Sequence, residues 1–217
     1  QTDRVGNVER LVREFSVNSR EDLHELMMIG EGESDNAVDL GLGYLPVATA
    51  EALRAVAPLL AAREDTRVIP ASAFEPHMLQ NSDVLYVGYI SGLHDLEDIV
   101  FRGGRFKPGQ GYDELQDTRL NRRYLSDSAV ANSPQGNHKE YGYFTSISGP
   151  SGARLTVIAG TRDAGLAGVA QAMSDARIAK SLKLSGDGGV EAIIEAPGEA
   201  AIGVSPRVIA MAPRAAR

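Results

Sequence analysis

The sequence predicts an α/β fold, and three observations carry that prediction. Strand-like and helix-like segments alternate through the first hundred residues and again over 153–175. The segments DVLYVGYI at 83–90 and ARLTVIAG at 153–160 are rich in β-branched and aromatic residues, as strands are. With 217 residues, 43% of them hydrophobic, the chain can bury a sizeable core as one domain over 1–217.

The elements follow in chain order. VERLVREFSV at 8–17 alternates well enough for a strand. Asn18 or Ser19 then suits the cap of a helix whose first turn holds Glu21 and Asp22 and whose stripe is Leu23, Leu26 and Met27, with Gly30 as its stop. GEGESDN is a polar loop, and 37–45 reads as a second strand. Thr49 is the expected cap of a helix with Leu53, Val56, Leu59 and Leu60 at 3–4 spacing, and Pro58 should kink or shorten it. TRVIPAS at 66–72 reads as a short strand, and 74–81 as a short helix or turn. After the strand at 83–90, Ser91-Gly92 is a break and LHDLEDIVF a helical turn or two.

Residues 102–150 form a β-rich insertion in this reading, with a hairpin between 112–115 and 123–126 and a loop over 127–139. A strand at 141–148 turns through Gly-Pro-Ser-Gly into 153–160. AGLAGVAQAMSD is a small-residue helix, and 176–184 continues as a further helix. The extension at 176–217 closes with an antiparallel hairpin of strands at 190–196 and 204–211. The expected architecture is therefore Rossmann-like or flavodoxin-like: a mostly parallel sheet with helices on both faces.

Composition excludes several classes. There is no cysteine, so disulfides, thiolate metal sites and cysteine nucleophiles are absent. No apolar run approaches the roughly 18 residues of a membrane span. A net charge of −7 argues against nucleic acid as a partner. The 22 basic residues are 18 Arg and 4 Lys, read as a composition bias ahead of phosphate recognition. The chain starts at Gln1 rather than Met, which reads as a fragment or a processed form.

Folds of this class bind ligands at the carboxyl ends of strands, where helix N-termini expose N–H groups. Four strand-to-helix turns fall there: Asn18-Ser19, Tyr44-Leu45-Pro46, Tyr89-Ile90-Ser91-Gly92 and Gly160-Thr161-Arg162-Asp163. The candidate ligand-binding residues are Ser19, Tyr44, Tyr89, Ser91, Thr161 and Arg162, with Arg162 offering a fork to phosphate or carboxylate. The plainer reading makes the hydroxyls ordinary caps and Arg162–Asp163 a surface pair. No dinucleotide fingerprint, P-loop or Gly-x-Ser-x-Gly elbow occurs, since Ser91 sits one place late between Gly88 and Gly92.

His94 and Asp98, four apart, make only a two-ligand signal for metal; no metal or other cofactor is expected. Asp113, Glu114 and Asp117 face a run of arginines, a pattern more typical of a solvated hairpin than of glycosidase carboxylates. Tyr141 and Tyr143 share one strand face, as a stacking platform or as packing under a loop.

The blocks DVLYVGYISGLHDLEDIVFRGGRF, GYDEL, EYGYFTSISGPSGARLTVIAGTRDAGL and DLGLGYLPVATAEALRAVAPLL resemble a bacterial α/β module carried by membrane-anchored or regulator-fused chains. That resemblance spans roughly 10–175. It implies a soluble part of a larger protein, on the cytoplasmic or the periplasmic side, and no catalytic residue. LTVIAGTRDAGLAGVAQAM is also similar to the closing strand–helix unit of noncatalytic α/β domains in some carbohydrate-active and polysaccharide-export proteins.

The expected function is thus noncatalytic. It is a sensory or regulatory domain that binds a small ligand, an anion among the candidates, or a protein partner. A hydrolase acting on a sugar or ester, led by Ser91, Asp163 or Glu114, is the alternative from another class. A structural assembly module, self-association included, is the third.

Overall fold

The computed structural model describes residues 2–5, 8–11, 23–25, 28, 45–61, 63, 65–129, 138–149, 151–182, 189–197 and 205–214. The chain divides into two compact units, residues 1–44 and 45–217. In the first, strands β1 (Thr2–Val5) and β2 (Val8–Leu11) pair antiparallel, and Leu23, His24, Glu25 and Met28 are helical. The expected strand at 8–17 is thus seen over Val8–Leu11. The readings at 12–22 and 30–44 lie outside the described residues.

The second unit opens with helix α1 (Val47–Leu60), followed by β3 (Val84–Tyr89) and the short helix α2 (Leu96–Phe101). Three short strands come next: β4 (Phe106–Pro108), β5 (Glu114–Asp117) and β6 (Arg122–Leu125). Then come β7 (Lys139–Ser148), β8 (Arg154–Gly160), helices α3 (Asp163–Ser174) and α4 (Ala176–Leu182), β9 (Gly189–Pro197) and β10 (Arg207–Pro213).

The main sheet has five strands in the order β10-β9-β7-β8-β3. Only β3 and β8 are parallel neighbours; β7 runs antiparallel to both β8 and β9. The expected mostly parallel, Rossmann-like sheet is corrected here to a mixed one. The cause was legible: β7 and β8 are joined by the tight turn at 149–152, and so short a link permits only antiparallel pairing. The final hairpin, β9–β10, is antiparallel as expected. The β-rich insertion ends earlier than expected. It is a three-stranded antiparallel sheet, β4-β5-β6, whereas β7 is the centre of the main sheet.

One face of the main sheet is covered by α1, α3 and α4. The other is covered by α2 and the small sheet, so helices do not layer both faces equally. On the helix side, Phe144, Ile158, Ala192 and Ile194 meet Ala52, Val56, Leu166 and Val169. On the other, Tyr143, Val157 and Ile193 meet Leu96, Phe101, Phe106 and Leu115. Alternate residues of each strand serve the two cores, as the period of two requires.

Two local expectations differ. Pro46, not Thr49, occupies the cap of α1, and Thr49 is buried inside the helix. Proline before the first turn loses nothing, because the first N–H groups of a helix lack partners anyway. The buried stripe is Ala48, Ala52 and Val56, while Leu53 and Leu60 are only half-buried. Residues 65–70 form no strand, and Thr66, Arg67 and Val68 are exposed.

Two charge networks hold the small sheet in place. Arg105 makes a two-point bond to Asp117, Nε to Oδ1 at 2.8 Å and Nη2 to Oδ2 at 2.5 Å. Asp117 also accepts the N–H groups of Arg119 and Leu120, closing the β5–β6 turn. Glu114 takes Arg123 from the opposite strand, Nε to Oε2 at 2.6 Å. The hairpin was expected to be solvated; instead Glu114 and Asp117 are buried, Arg105 is mostly covered and Arg123 reaches outward. An arginine stem can lie on apolar surface while its head stays wet.

The second network lies deeper. Glu191 of β9 accepts the Tyr143 hydroxyl at 2.9 Å, the Arg105 N–H at 2.6 Å and Arg214 Nη1 at 3.1 Å. Arg214 Nη2 also donates to the Arg102 carbonyl at 3.1 Å. A side chain at Gly104 would strike the Arg214 guanidinium, with 2.0 Å between Cβ and Nη1.

Asp117 makes stability depend on acid. Its hydrogen bonds from Arg105, with those from Leu120 and Arg119, hold its carboxyl below the ordinary range. The stabilisation is complete above the unfolded-state value of about 3.9 and is lost as pH falls through the lower folded value. Asp117→Asn should therefore flatten the pH dependence of unfolding below about pH 4. Urea titrations between neutral pH and pH 2 check this; equal slopes in both proteins would contradict it.

Candidate functional site

Because β7 runs opposite to its neighbours, its first residues lie at the edge where β3, β8 and β9 end. Tyr89 pairs with Gly160, Gly160 with Gly142, and Glu140 with Ala196. This is the carboxyl edge at which the sequence reading expects a site, and Tyr89, Thr161 and Arg162 all lie along it, on different sides. Ser91 follows β3 in a single 3₁₀ turn, half-buried. Ser19 and Tyr44 lie outside the described residues.

The close approach of α3 to the strands builds this edge. A Cβ at Gly160 would stand 2.2 Å from the Leu166 nitrogen, and one at Gly165 would stand 2.2 Å from the Tyr141 carbonyl oxygen. Only glycine at both positions lets helix and sheet touch backbone to backbone. The first turn of α3, which has no side-chain cap on its N–H groups, is thereby set against the ends of β7 and β8.

On the helix side of the edge, the Tyr89 hydroxyl donates to Asp163 Oδ1. On the other side, Thr161 Oγ1 donates to the Tyr141 carbonyl at 2.8 Å and lies 2.6 Å from Ser126 Oγ. Ser126 Oγ therefore donates to Thr161. Arg162 reaches around the edge to Asp113, Nε to Oδ1 at 2.7 Å. The expected surface pair of Arg162 with Asp163 is replaced by these two separate bonds. Each of the three acidic or basic groups is drawn to a partner that the fold supplies from elsewhere.

Glu140 belongs to the same edge and was not singled out from the sequence. It is 3% exposed. Its Oε1 accepts the Ser128 N–H at 3.2 Å. Its Oε2, and His138 Nδ1 two residues earlier, are buried and have no hydrogen-bond partner among the described residues. The signal was present: glutamate followed by an uninterrupted buried run, EYGYFT, heads a central strand rather than closing a loop.

The remaining candidates disperse. His94 precedes α2 in a left-handed conformation (φ 46°), so it shares no helix face with Asp98. Asp98 accepts Arg102 instead, at 3.2 Å. Among the described residues no three His, Asp or Glu side chains group as a metal site. Tyr141 and Tyr143 do not form a platform. Tyr143 is fully buried against Phe101, and Tyr141 packs edge-on to Tyr124 with ring centroids 5.6 Å apart. Their hydroxyls are pushed above the usual tyrosine range chiefly by burial. A separate cleft of about 250 Å³ lies at the far end of α3, between Gln171, Asp175, Ile178 and Pro206. Among the described residues no helix is long and apolar enough to cross a membrane.

Comparison with protein-family models, with curated proteins and with solved structures finds no match. The fold and this edge are therefore the basis for a functional reading.

Proposed function

We propose that residues 45–217 form a noncatalytic binding module, sensory or regulatory in role, that takes a small ligand at the strand-end edge. The observation that carries the reading is the placement along one edge of Tyr89, Thr161, Arg162, the uncapped start of α3 and the half-satisfied Glu140. Strand ends of α/β sheets are favoured ligand sites because exposed helix N–H groups and short loops converge on them. Hydroxyls and one guanidinium supply orientation.

An anionic group that engages Arg162 competes with Asp113 for the guanidinium. Two variants should then move in opposite directions when titrated calorimetrically with sodium phosphate and with sodium acetate. Arg162→Ala should weaken binding by about 1.5–3 kcal/mol, the usual worth of a charged hydrogen bond. Asp113→Asn, which removes the competing carboxylate charge beside the guanidinium, should strengthen it. Unchanged affinity in a folded Arg162→Ala protein would remove Arg162 from the site.

A further inference from the structure

We infer that Glu140, assisted by His138, receives a positively charged group that carries its own N–H donors. This is the ammonium or guanidinium end of a small organic ligand. The inference rests on the binding reading above but on a different observation, the incomplete bonding of a buried carboxylate.

An ionised carboxylate only accepts hydrogen bonds, and it offers about four sites for them. Glu140, 3% exposed, has one bond from a neutral backbone N–H at 3.2 Å and none at Oε2 among the described residues. No described Lys, Arg or His lies within ion-pair distance of it. The two cations nearest in sequence and register bond elsewhere: Lys139 reaches Glu195 and Arg162 reaches Asp113. Buried charges are otherwise paired or bind metal, because an unpaired one is costly. Glu140 shares a strand face with Gly142, over which Gly165 and Val169 of α3 pack. The start of α3 favours negative charge there, yet it leaves Oε2 unfilled.

His138 decides which cation fits. It stands two residues before Glu140, just ahead of β7, and its buried Nδ1 is also unpartnered among the described residues. One imidazole nitrogen and one carboxylate oxygen fall short of the three or four protein ligands a bound zinc ion takes. No third such ligand groups with them among the described residues. An ammonium needs no coordination geometry: it donates one N–H to Oε2 and a second to Nδ1.

The test is amide-resolved NMR of the full 217-residue chain, titrated with ethylammonium chloride against sodium chloride at equal ionic strength. Parallel titrations use zinc chloride and sodium phosphate. The expected result is saturable movement of the Ser128 and Tyr141 amides with ethylammonium, at least tenfold weaker in Glu140→Gln. Should that variant lose the native spectrum, His138→Ala is read instead, with several-fold weakening expected. Movement that matches sodium chloride, or saturation with zinc alone, overturns the inference. Phosphate moving the Thr161 and Arg162 amides while ethylammonium moves none would overturn it and leave the edge as a binding site. Silence with all three probes would remove both readings.

Discussion

Glu191→Ala is expected to destabilise the second unit by about 3–5 kcal/mol, the usual cost of leaving one member of a buried ion pair alone. Its partner Arg214 is 5% exposed. The substitution also strips acceptors from the Tyr143 hydroxyl and the Arg105 N–H, each of which carries its own desolvation cost. Burial, ahead of the Glu191 charge, keeps the Tyr143 hydroxyl protonated and donating. The double substitution Glu191→Leu with Arg214→Met should recover much of the loss, since apolar replacement of both partners removes the desolvation term. Urea unfolding of the single and double variants measures both numbers. A cost under about 1 kcal/mol for Glu191→Ala would mean that Arg214 finds solvent, contrary to the geometry.

Gly165→Ala is the second large effect, and it bears on the site. The added Cβ would meet the Tyr141 carbonyl oxygen at 2.2 Å and its carbon at 2.8 Å, both backbone atoms of the central strand. Neither can yield locally, so the start of α3 must lift from the sheet. Forced overpacking of this kind costs about 1–3 kcal/mol. The lift also separates Asp163 from Tyr89 and moves the N–H groups of the first turn. Unfolding midpoints give the cost, and amide shifts at Thr161–Leu166 should report the displacement. Gly160→Ala, whose Cβ would stand 2.2 Å from the Leu166 nitrogen, should behave alike. Wild-type stability and spectra in either variant would refute the close docking of α3.

What the sequence reveals here depends on how local the cause is. β3 and β8 are legible because β-branched and aromatic residues crowd into six or seven positions between turn residues. The β7–β8 turn is equally local. Its consequence for strand direction is what the alternation of strands and helices concealed, since β7 inserts between β8 and β9. The stripe on α1 misleads for another reason. Leu53 and Leu60 match helical spacing, but the residues that bury against α3 are the smaller Ala48, Ala52 and Val56.

The edge itself follows from the rule for strand ends, and Tyr89, Thr161 and Arg162 fall on it for that reason. Their partners do not. Asp113 lies 49 residues from Arg162, and Ser126 lies 35 from Thr161. Such pairs arise from the return of the small sheet toward the main one, which no periodicity encodes. Buried charges leave a fainter trace. Glu191 interrupts the apolar run of β9 and Glu140 heads that of β7. A charge embedded in a central strand calls for a partner: Glu191 has its network, and Glu140 is the residue proposed above to take a ligand.

A thermal-shift panel on the purified chain tests the central claim most directly. It covers nucleotides, sugars, phosphates, amino acids, simple amines and divalent metals. A ligand at 100 times its dissociation constant stabilises by about 2.7 kcal/mol. For a chain of this size that is a rise of roughly 5–11 °C. The account predicts that at least one class gives a saturable rise, and that Arg162→Ala or Glu140→Gln abolishes it without unfolding the protein. No rise with any class, or a rise that both variants retain, would contradict a ligand site at the strand-end edge.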